Sequence, residues 1–370
     1  MRSCHFEFFM RYGLRAKPRD AASFDAPQIG TFLHFLLERV CADAKAMGGF
    51  AKTDNDTLHR LAEKHIEEFI QENFGDLSKK TARFRYLFRR LRRAALAIID
   101  QMADELRHSD FVPVEFELGV GTASGDGKQS LPAIAIRDPE GELLLRGRID
   151  RVDGWRHNGK LYLRVMDYKS GRKKFDLSNV RMGLDLQMLL YLFALERNGK
   201  KRFGEDVRAA GILYLPLRDG ASLDSFLNAE RGISDEELEK ERQKELKRSG
   251  LILSEPEALQ AMEHECLTEP RFLPIRVGKD GGLTGDLASA EQLGKLGKYV
   301  EKLIRQIGGE VRAGNIDADP CCTTYGDAPC EYCDWAGACH FQDGRDRDRL
   351  RYVRKIKPEE FWELLDREAD

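Results

Sequence analysis

The chain has 370 residues of which a third are charged, yet 60 basic and 63 acidic side chains leave a formal net charge of −3. That balance neither demands nor excludes a polyanionic partner, so any such surface must be local. The longest apolar stretch, Leu186 to Leu195, is broken by Gln187 and is too short to cross a bilayer. No signal-peptide pattern opens the sequence, and a cytoplasmic, reducing location without membrane contact is the expectation.

In chain order, helices come first. Apolar residues recur at helical spacing from Thr31 to Met47 after Gly30, then from about Thr57 to Phe74, then from Lys79 to about His108. Strands are predicted over Phe111–Val120, Leu131–Arg137, Glu142–Val152 and Lys160–Tyr168, separated by turns such as Ser124-Gly125-Asp126-Gly127 and His157-Asn158-Gly159. A helix from about Leu184 to Asn198 leads to a strand over Gly211–Leu217. Ser234 with Glu237 forms a capping box opening a charged helix that stops near Gly250. A strand over Phe272–Val277, a Gly-rich turn and an amphipathic helix from Ala288 to about Gly308 follow. The order of elements suits an α/β domain whose sheet is flanked by helices. One domain spans 1–370, with a helical part at 1–110, a sheet core at 111–217, a mostly helical extension at 218–313 and a cysteine-rich segment at 314–370.

The two strands at the centre carry the chemistry. Gly147-Arg148-Ile149-Asp150-Arg151-Val152-Asp153 precedes the hairpin turn, and Val165-Met166-Asp167-Tyr168-Lys169-Ser170 follows it. Side chains on a strand repeat every second residue, so Asp167 and Lys169 share a face. Asp150 and Asp167 suit a hard divalent cation, and Lys169 suits an attacking water or the charge growing on a phosphate. Two surface salt bridges are the plainer reading of the same letters. Glu115 and Glu117 precede these strands; one of them is a candidate to assist a metal, with strand surface favoured for both.

Other residues attract weaker expectations. His34 and Glu38 share a helix face, and a surface ion pair is favoured for Glu38. Gln187 and Tyr191 lie one turn apart in an apolar run, where a buried amide and a rim hydroxyl are ordinary outcomes. Lys79, Lys80 and the arginines between Arg83 and Arg93 crowd one helical segment without an acid, interleaved with Phe84, Tyr86 and Phe88. Such a run is often only a solvated face, but beside a phosphodiester-cleaving site it suits backbone tracking on nucleic acid, with Arg172, Lys173 and Lys174 extending it. No phosphate-binding loop of the G-x4-G-K-[ST] type occurs, so translocation is not encoded.

Cys330, Cys333 and Cys339 give C-x2-C-x5-C, a metal-binding spacing that needs a fourth ligand from Cys4, Cys321, Cys322 or His340. From spacing alone zinc is favoured, closed by Cys321 or Cys322, with Cys4 and Cys41 as small buried residues.

The opening Ser3-Cys4-His5-Phe6-Glu7-Phe8-Phe9 and Tyr12-Gly13-Leu14-Arg15 resemble the start of the nuclease region of the AddB family, which belongs to the bacterial ATP-dependent helicase/deoxyribonucleases. Gly30-Thr31-Phe32-Leu33-His34, the Asp150–Asp153 strand, Asp-Tyr-Lys-Ser, the Gln187–Tyr191 helix and the terminal cysteines fall in that family's order. The likeness places the chain in the RecB-like branch of PD-(D/E)XK nucleases and implies a restriction-endonuclease-like mixed sheet. It implies that His34, Asp150, Asp167 and the Tyr168 carbonyl hold Mg2+ or Mn2+, and that Lys169, Gln187 and Tyr191 complete the catalytic set. It also implies a [4Fe-4S] cluster on Cys4, Cys330, Cys333 and Cys339, pinning the two ends of the chain so that its loss loosens the whole. The expected activity is metal-dependent cleavage of single-stranded DNA ends in double-strand break repair, with an AddA-like subunit as partner. A non-catalytic DNA- or partner-binding scaffold and a free-standing exonuclease of the CRISPR-associated type are the alternatives.

Overall fold

The computed structural model describes residues 1–17, 26–76, 79–123, 130–169, 173–216, 246–322 and 329–369. A short helix, α1 (His5–Phe8), runs into a π-helical turn at Phe9–Gly13. Three long helices follow: α2 (Ala26–Ala46), α3 (Asn55–Asn73) and α4 (Ala82–Arg107). The Asp54 and Thr81 side chains cap α3 and α4 by accepting from the N–H groups of Thr57 and Phe84. Because the buried stripe from Phe32 to Val40 fixes α2 against its neighbours, the helix tolerates Gly30 and begins before it.

Next come β1 (Val112–Val120), β2 (Ile134–Asp138), β3 (Gly141–Leu145), β4 (Gly147–His157) and β5 (Lys160–Lys169). The single strand predicted over 142–152 is thus two, parted at Arg146: β3 pairs with β2 in a small sheet, and β4 joins β1 and β5. The turn between β4 and β5 matches its reading, with φ of 49° at Asn158 and 71° at Gly159, the left-handed pair that a type I′ hairpin requires.

The remaining elements are α5 (Leu177–Arg181), α6 (Gln187–Phe203), β6 (Asp206–Pro216), β7 (Ser249–Leu253), α7 (Pro256–Met262), β8 (Ile275–Val277) and β9 (Leu283–Gly285). They continue with β10 (Leu287–Ala288), α8 (Ala290–Arg312), β11 (Cys321–Cys322), α9 (Ala336–Cys339), β12 (Arg351–Tyr352) and α10 (Pro358–Ala369). The central sheet runs β1-β4-β5-β6-β7-β10, with β5–β6 and β7–β10 parallel and the other pairs antiparallel. α6 supplies the crossover that the parallel β5–β6 pair needs. On one face of β5, Met166 and Tyr168 enter a core with Phe32, Leu36 and Ile99; on the other, Leu163 and Val165 meet Leu189, Leu192 and Leu296. This is the mixed sheet flanked by helices that the sequence leads one to expect.

The sheet continues beyond residue 217, because β7 and β10 belong to it. Gly250, read from the sequence as a helix end, lies inside β7. A Cβ there would stand 1.9 Å from the Ile212 carbonyl oxygen, so glycine is what allows β7 to close on β6. The capping box of Ser234 and Glu237 and the turn at Ser124–Gly127 lie outside the described residues. Among the described residues no helix is long and apolar enough to cross a membrane.

Candidate active site

The β4–β5 ladder runs from His157 opposite Lys160 to Arg151 opposite Met166. Asp150 and Asp167 would form the next pair, and there the ladder stops. The Tyr168 N–H donates instead to the Asp150 carboxylate, 3.1 Å from Oδ2. β5 stays paired with β6 as far as Lys169. Asp167 and Lys169 therefore keep the face of Val165, with Asp167 Oδ2 2.6 Å from Lys169 Nζ. The contact is an ion pair without hydrogen-bond geometry, and Oδ2 has no other partner among the described residues. Asp167 is buried while the Lys169 side chain is 38% exposed, its ammonium 6.0 Å from the Tyr214 ring centroid.

α2 delivers His34 to the same end of the sheet. Its Nδ1 lies 3.4 Å from Glu117 Oε1 and 3.7 Å from Asp150 Oδ1, and its ring meets the Tyr168 ring edge-on at 5.2 Å. His34, Glu117 and Asp150 each offer a ligand atom within 4.8 Å of the others. Glu117 thus leaves the strand surface favoured for it, whereas Glu115 pairs with Arg202 at 2.6 Å. The physical reason is backbone conformation: Glu117 has φ 46°, outside the β region, between the register pairs Phe116–Arg151 and Leu118–Ile149. A non-glycine residue held there costs roughly 1–3 kcal/mol, a strain that surrounding structure must sustain. An imidazole and two carboxylates are a donor set that fits a divalent cation. Asp167 joins them electrostatically, with its Oδ2 paired to Lys169.

Burial pushes the Asp150 carboxyl up to about 6; the His34 charge opposes the shift and the nearby Asp167 adds to it. Burial works against the His34 imidazolium, but its hydrogen bond to Glu117 and the charges on Asp150, Glu117 and Asp167 outweigh that and raise its pKa. Both shifts favour the protonated forms of Asp150 and His34, which compete with a cation for the same atoms.

Tyr191 is buried on α6, and its hydroxyl accepts from the Arg148 N–H and from Gln187 Nε2, both at 3.2 Å. A Cβ at Gly147 would lie 2.1 Å from that hydroxyl, so glycine lets the start of β4 dock on it. The geometry gives Tyr191 a hold on the strand that carries Asp150. Gln187 is exposed in the first turn of α6 with Tyr191 as its partner.

On the opposite face of β4 and β5 lies a buried charge network that the sequence reading missed. Arg151 forks onto Asp153 at 2.6 and 2.7 Å, and Arg164, the cross-strand partner of Asp153, reaches it at 3.0 Å. Arg164 also meets Glu105 of α4 at 3.2 Å, and Arg248 meets the same carboxylate at 2.9 Å. All five residues are at most 3% exposed. Charged residues at facing positions of two apolar strands were the available signal. Burial works against the Glu105 anion, but Arg248, Arg164 and Arg151 outweigh it and hold the carboxyl low.

Cys4, Cys330, Cys333 and Cys339 line one cavity of about 170 Å3, with His340 also at its wall. Cys321 and Cys322 are buried in β11 and are not among its lining residues. No three of the four sulfurs lie within 4.8 Å of one another. Four thiols around one cavity are a donor set that suits a thiophilic metal group. Burial pushes the Cys330 thiol up to about 11, and the charges of the other three cysteines add to this. Cys41 is fully buried elsewhere, its thiol pushed up to about 12 by that burial.

A family model described as the PD-(D/E)XK nuclease superfamily matches residues 1–340. The chain belongs to that superfamily. Among similar proteins, one from Acetivibrio thermocellus, named as the B component of an ATP-dependent helicase/deoxyribonuclease, is 32% identical over 372 residues, covering 100% of this chain and 32% of the relative. One of the same name from Clostridium novyi is 32% identical over 375 residues, covering 99% and 32%. The chain spans about a third of the length of these curated relatives.

Proposed function

We propose that this chain is the DNA-cleaving domain of a helicase–nuclease, hydrolysing phosphodiesters at single-stranded ends with Mg2+ or Mn2+ during double-strand break repair. The observation that carries the reading is the convergence of His34, Glu117 and Asp150 beside the Asp167–Lys169 pair, where β4 and β5 part. A divalent cation bound there supplies Lewis-acid stabilisation of phosphate charge and lowers the pKa of water. His34, Asp150 and Glu117 are its holders, with Asp167 and the Tyr168 carbonyl as further candidates. Asp167 orients Lys169, whose ammonium meets the charge that grows on the phosphate. Tyr191 fixes the start of β4, and Gln187 steadies the Tyr191 hydroxyl. A decayed scaffold would have no use for an imidazole, two carboxylates and an aspartate–lysine pair at one strand end, and this argues for an enzyme.

The basic half of α4 supports a nucleic-acid track. Arg83, Arg85, Arg89, Arg90 and Arg93 are exposed without an ion-pair partner among the described residues, while Arg92 pairs with Glu63 at 2.5 Å. Lys173 is bound to Asp185 instead, and Arg172 lies outside the described residues. The names of the relatives support an AddA-like helicase-nuclease subunit as partner, and the cysteine cavity supports a [4Fe-4S] cluster on Cys4, Cys330, Cys333 and Cys339. The deciding experiment is digestion of labelled single-stranded DNA with Mg2+ or Mn2+. Lys169→Ala is expected to abolish cleavage with an unchanged circular dichroism spectrum. Retained cleavage by the purified variant would remove the assignment.

A further inference from the structure

The two ends of the chain meet at the cysteine cavity through contacts in which no cysteine side chain takes part. The His5 N–H donates to Asp319 Oδ1 at 2.9 Å, and His5 Nδ1 lies 2.7 Å from both oxygens of that carboxylate. His5 is 4% and Asp319 1% exposed, so water competes little for these bonds. Arg351 holds Asp319 from the other side, Nε 3.0 Å from Oδ2, and its Nη2 donates to the Arg2 carbonyl at 2.7 Å. Arg2 and His5 also share Glu310 of α8, at 3.2 and 3.4 Å. Two backbone bonds flank them: the Cys321 N–H to the Ser3 carbonyl at 2.7 Å and the Phe6 N–H to the Asp317 carbonyl at 3.0 Å. Arg2, Ser3, His5 and Phe6 are all anchored to the carboxy-terminal part, and Cys4 between them lines the cavity.

We propose that His5, Asp319 and Arg351 form a clasp that seats Cys4 before any cofactor binds, so that the four-thiol site is prebuilt and not assembled by its occupant. The clasp itself stands on the polar contacts; its use as a seat for an iron–sulfur group rests on the cofactor reading above. The physical consequence is preorganisation. A group entering the cavity finds the amino-terminal segment already ordered and has no chain ordering left to offset. Loss of the cofactor then leaves the ends joined, unlike the general loosening expected if the cluster alone pinned them. His5, Asp319 and Arg351 act through Cys4 and are positioning residues.

The test uses the whole chain stripped of iron by a chelator under anaerobic, reducing conditions. Hydrogen exchange at the Phe6 and Cys321 amides is expected to run at least about 100-fold slower than in an unfolded chain, because both are bonded within the clasp. Asp319→Asn keeps the side-chain volume and removes the charge. It is expected to speed exchange at those amides about tenfold or more, accelerate alkylation of Cys4 by iodoacetamide relative to Cys330, and slow reconstitution with iron and sulfide, with protection of β5 and β6 unchanged. Arg351→Lys, which loses the fork, is expected to act in the same direction. If Phe6 and Cys321 in the stripped wild-type protein exchange as in an unfolded chain and gain protection only with iron and sulfide, the proposal is overturned; this measurement needs no variant to fold. Protection without any uptake of iron would keep the clasp and overturn the cofactor reading instead.

Discussion

At the scale of single residues, Glu117 is where local patterning and the folded backbone part company. Its letter sits in an alternating strand, and nothing there marks a φ of 46° that turns it toward His34 and Asp150. Asp150, Asp167 and Lys169 were legible because strand alternation and a hairpin turn suffice to place them; Glu117 was not, because bulge-like backbone excursions depend on the partner strand. If Glu117 holds the cation, Glu117→Gln is expected to lower cleavage at limiting Mn2+ by about two orders of magnitude, with recovery at high Mn2+, as loss of one charged ligand would do. Steady-state cleavage against metal concentration checks it. Protonation gives a second expectation. Burial raises the Asp150 carboxyl to about 6, and the His34 pKa is raised as well, so both groups carry protons more readily than their free counterparts. A cation needs the anion and the neutral imidazole, and its affinity is therefore expected to fall as pH drops through about 6. Calorimetric Mn2+ titrations in buffers of differing ionisation enthalpy would report the released protons, and a pH-independent affinity would contradict the site.

At the scale of elements, α4 is instructive. Its first turn contains no acid, and Arg83 and Arg85 stand near an N-terminus whose dipole already favours anions. A helix built for stability alone would carry the opposite charge there. The surplus positive potential makes sense for a surface that meets phosphates. Replacing Arg89 and Arg90 by Gln is expected to weaken single-strand binding on every sequence tested and to reduce the slope of log affinity against log salt by about 1 to 1.5, leaving thermal stability nearly unchanged. Fluorescence anisotropy across a salt series reads this. Helix periodicity revealed α2, α3 and α4, and the Asn158-Gly159 turn revealed the β4–β5 hairpin. The break at Arg146 was hidden because β3 and β4 form one run of β-formers whose halves choose different partners only in three dimensions. β7 was hidden for a related reason: a five-residue strand finds its identity in the neighbours β6 and β10, not in its own pattern.

At the scale of the molecule, the buried network of Arg151, Asp153, Arg164, Glu105 and Arg248 joins β4, β5, α4 and the approach to β7 directly behind the acidic site. Three guanidiniums against two carboxylates leave little tolerance for losing either acid. Glu105→Gln is expected to destabilise the fold by about 3–5 kcal/mol in urea unfolding, because Arg248 and part of Arg164 would be left buried without a counter-charge. Since the Glu105 and Asp153 carboxyls are held below their ordinary range, this contribution is present above that range and is lost as acid protonates them. The same network has a bearing on how the protein is made. Zipping the β4–β5 hairpin one position out would throw Asp167 and Lys169 to the reverse side of the ribbon and drive the arginines into hydrocarbon. Such a misthreaded newcomer would come apart, so the pairing that sets Asp167 and Lys169 side by side also proofreads its own assembly.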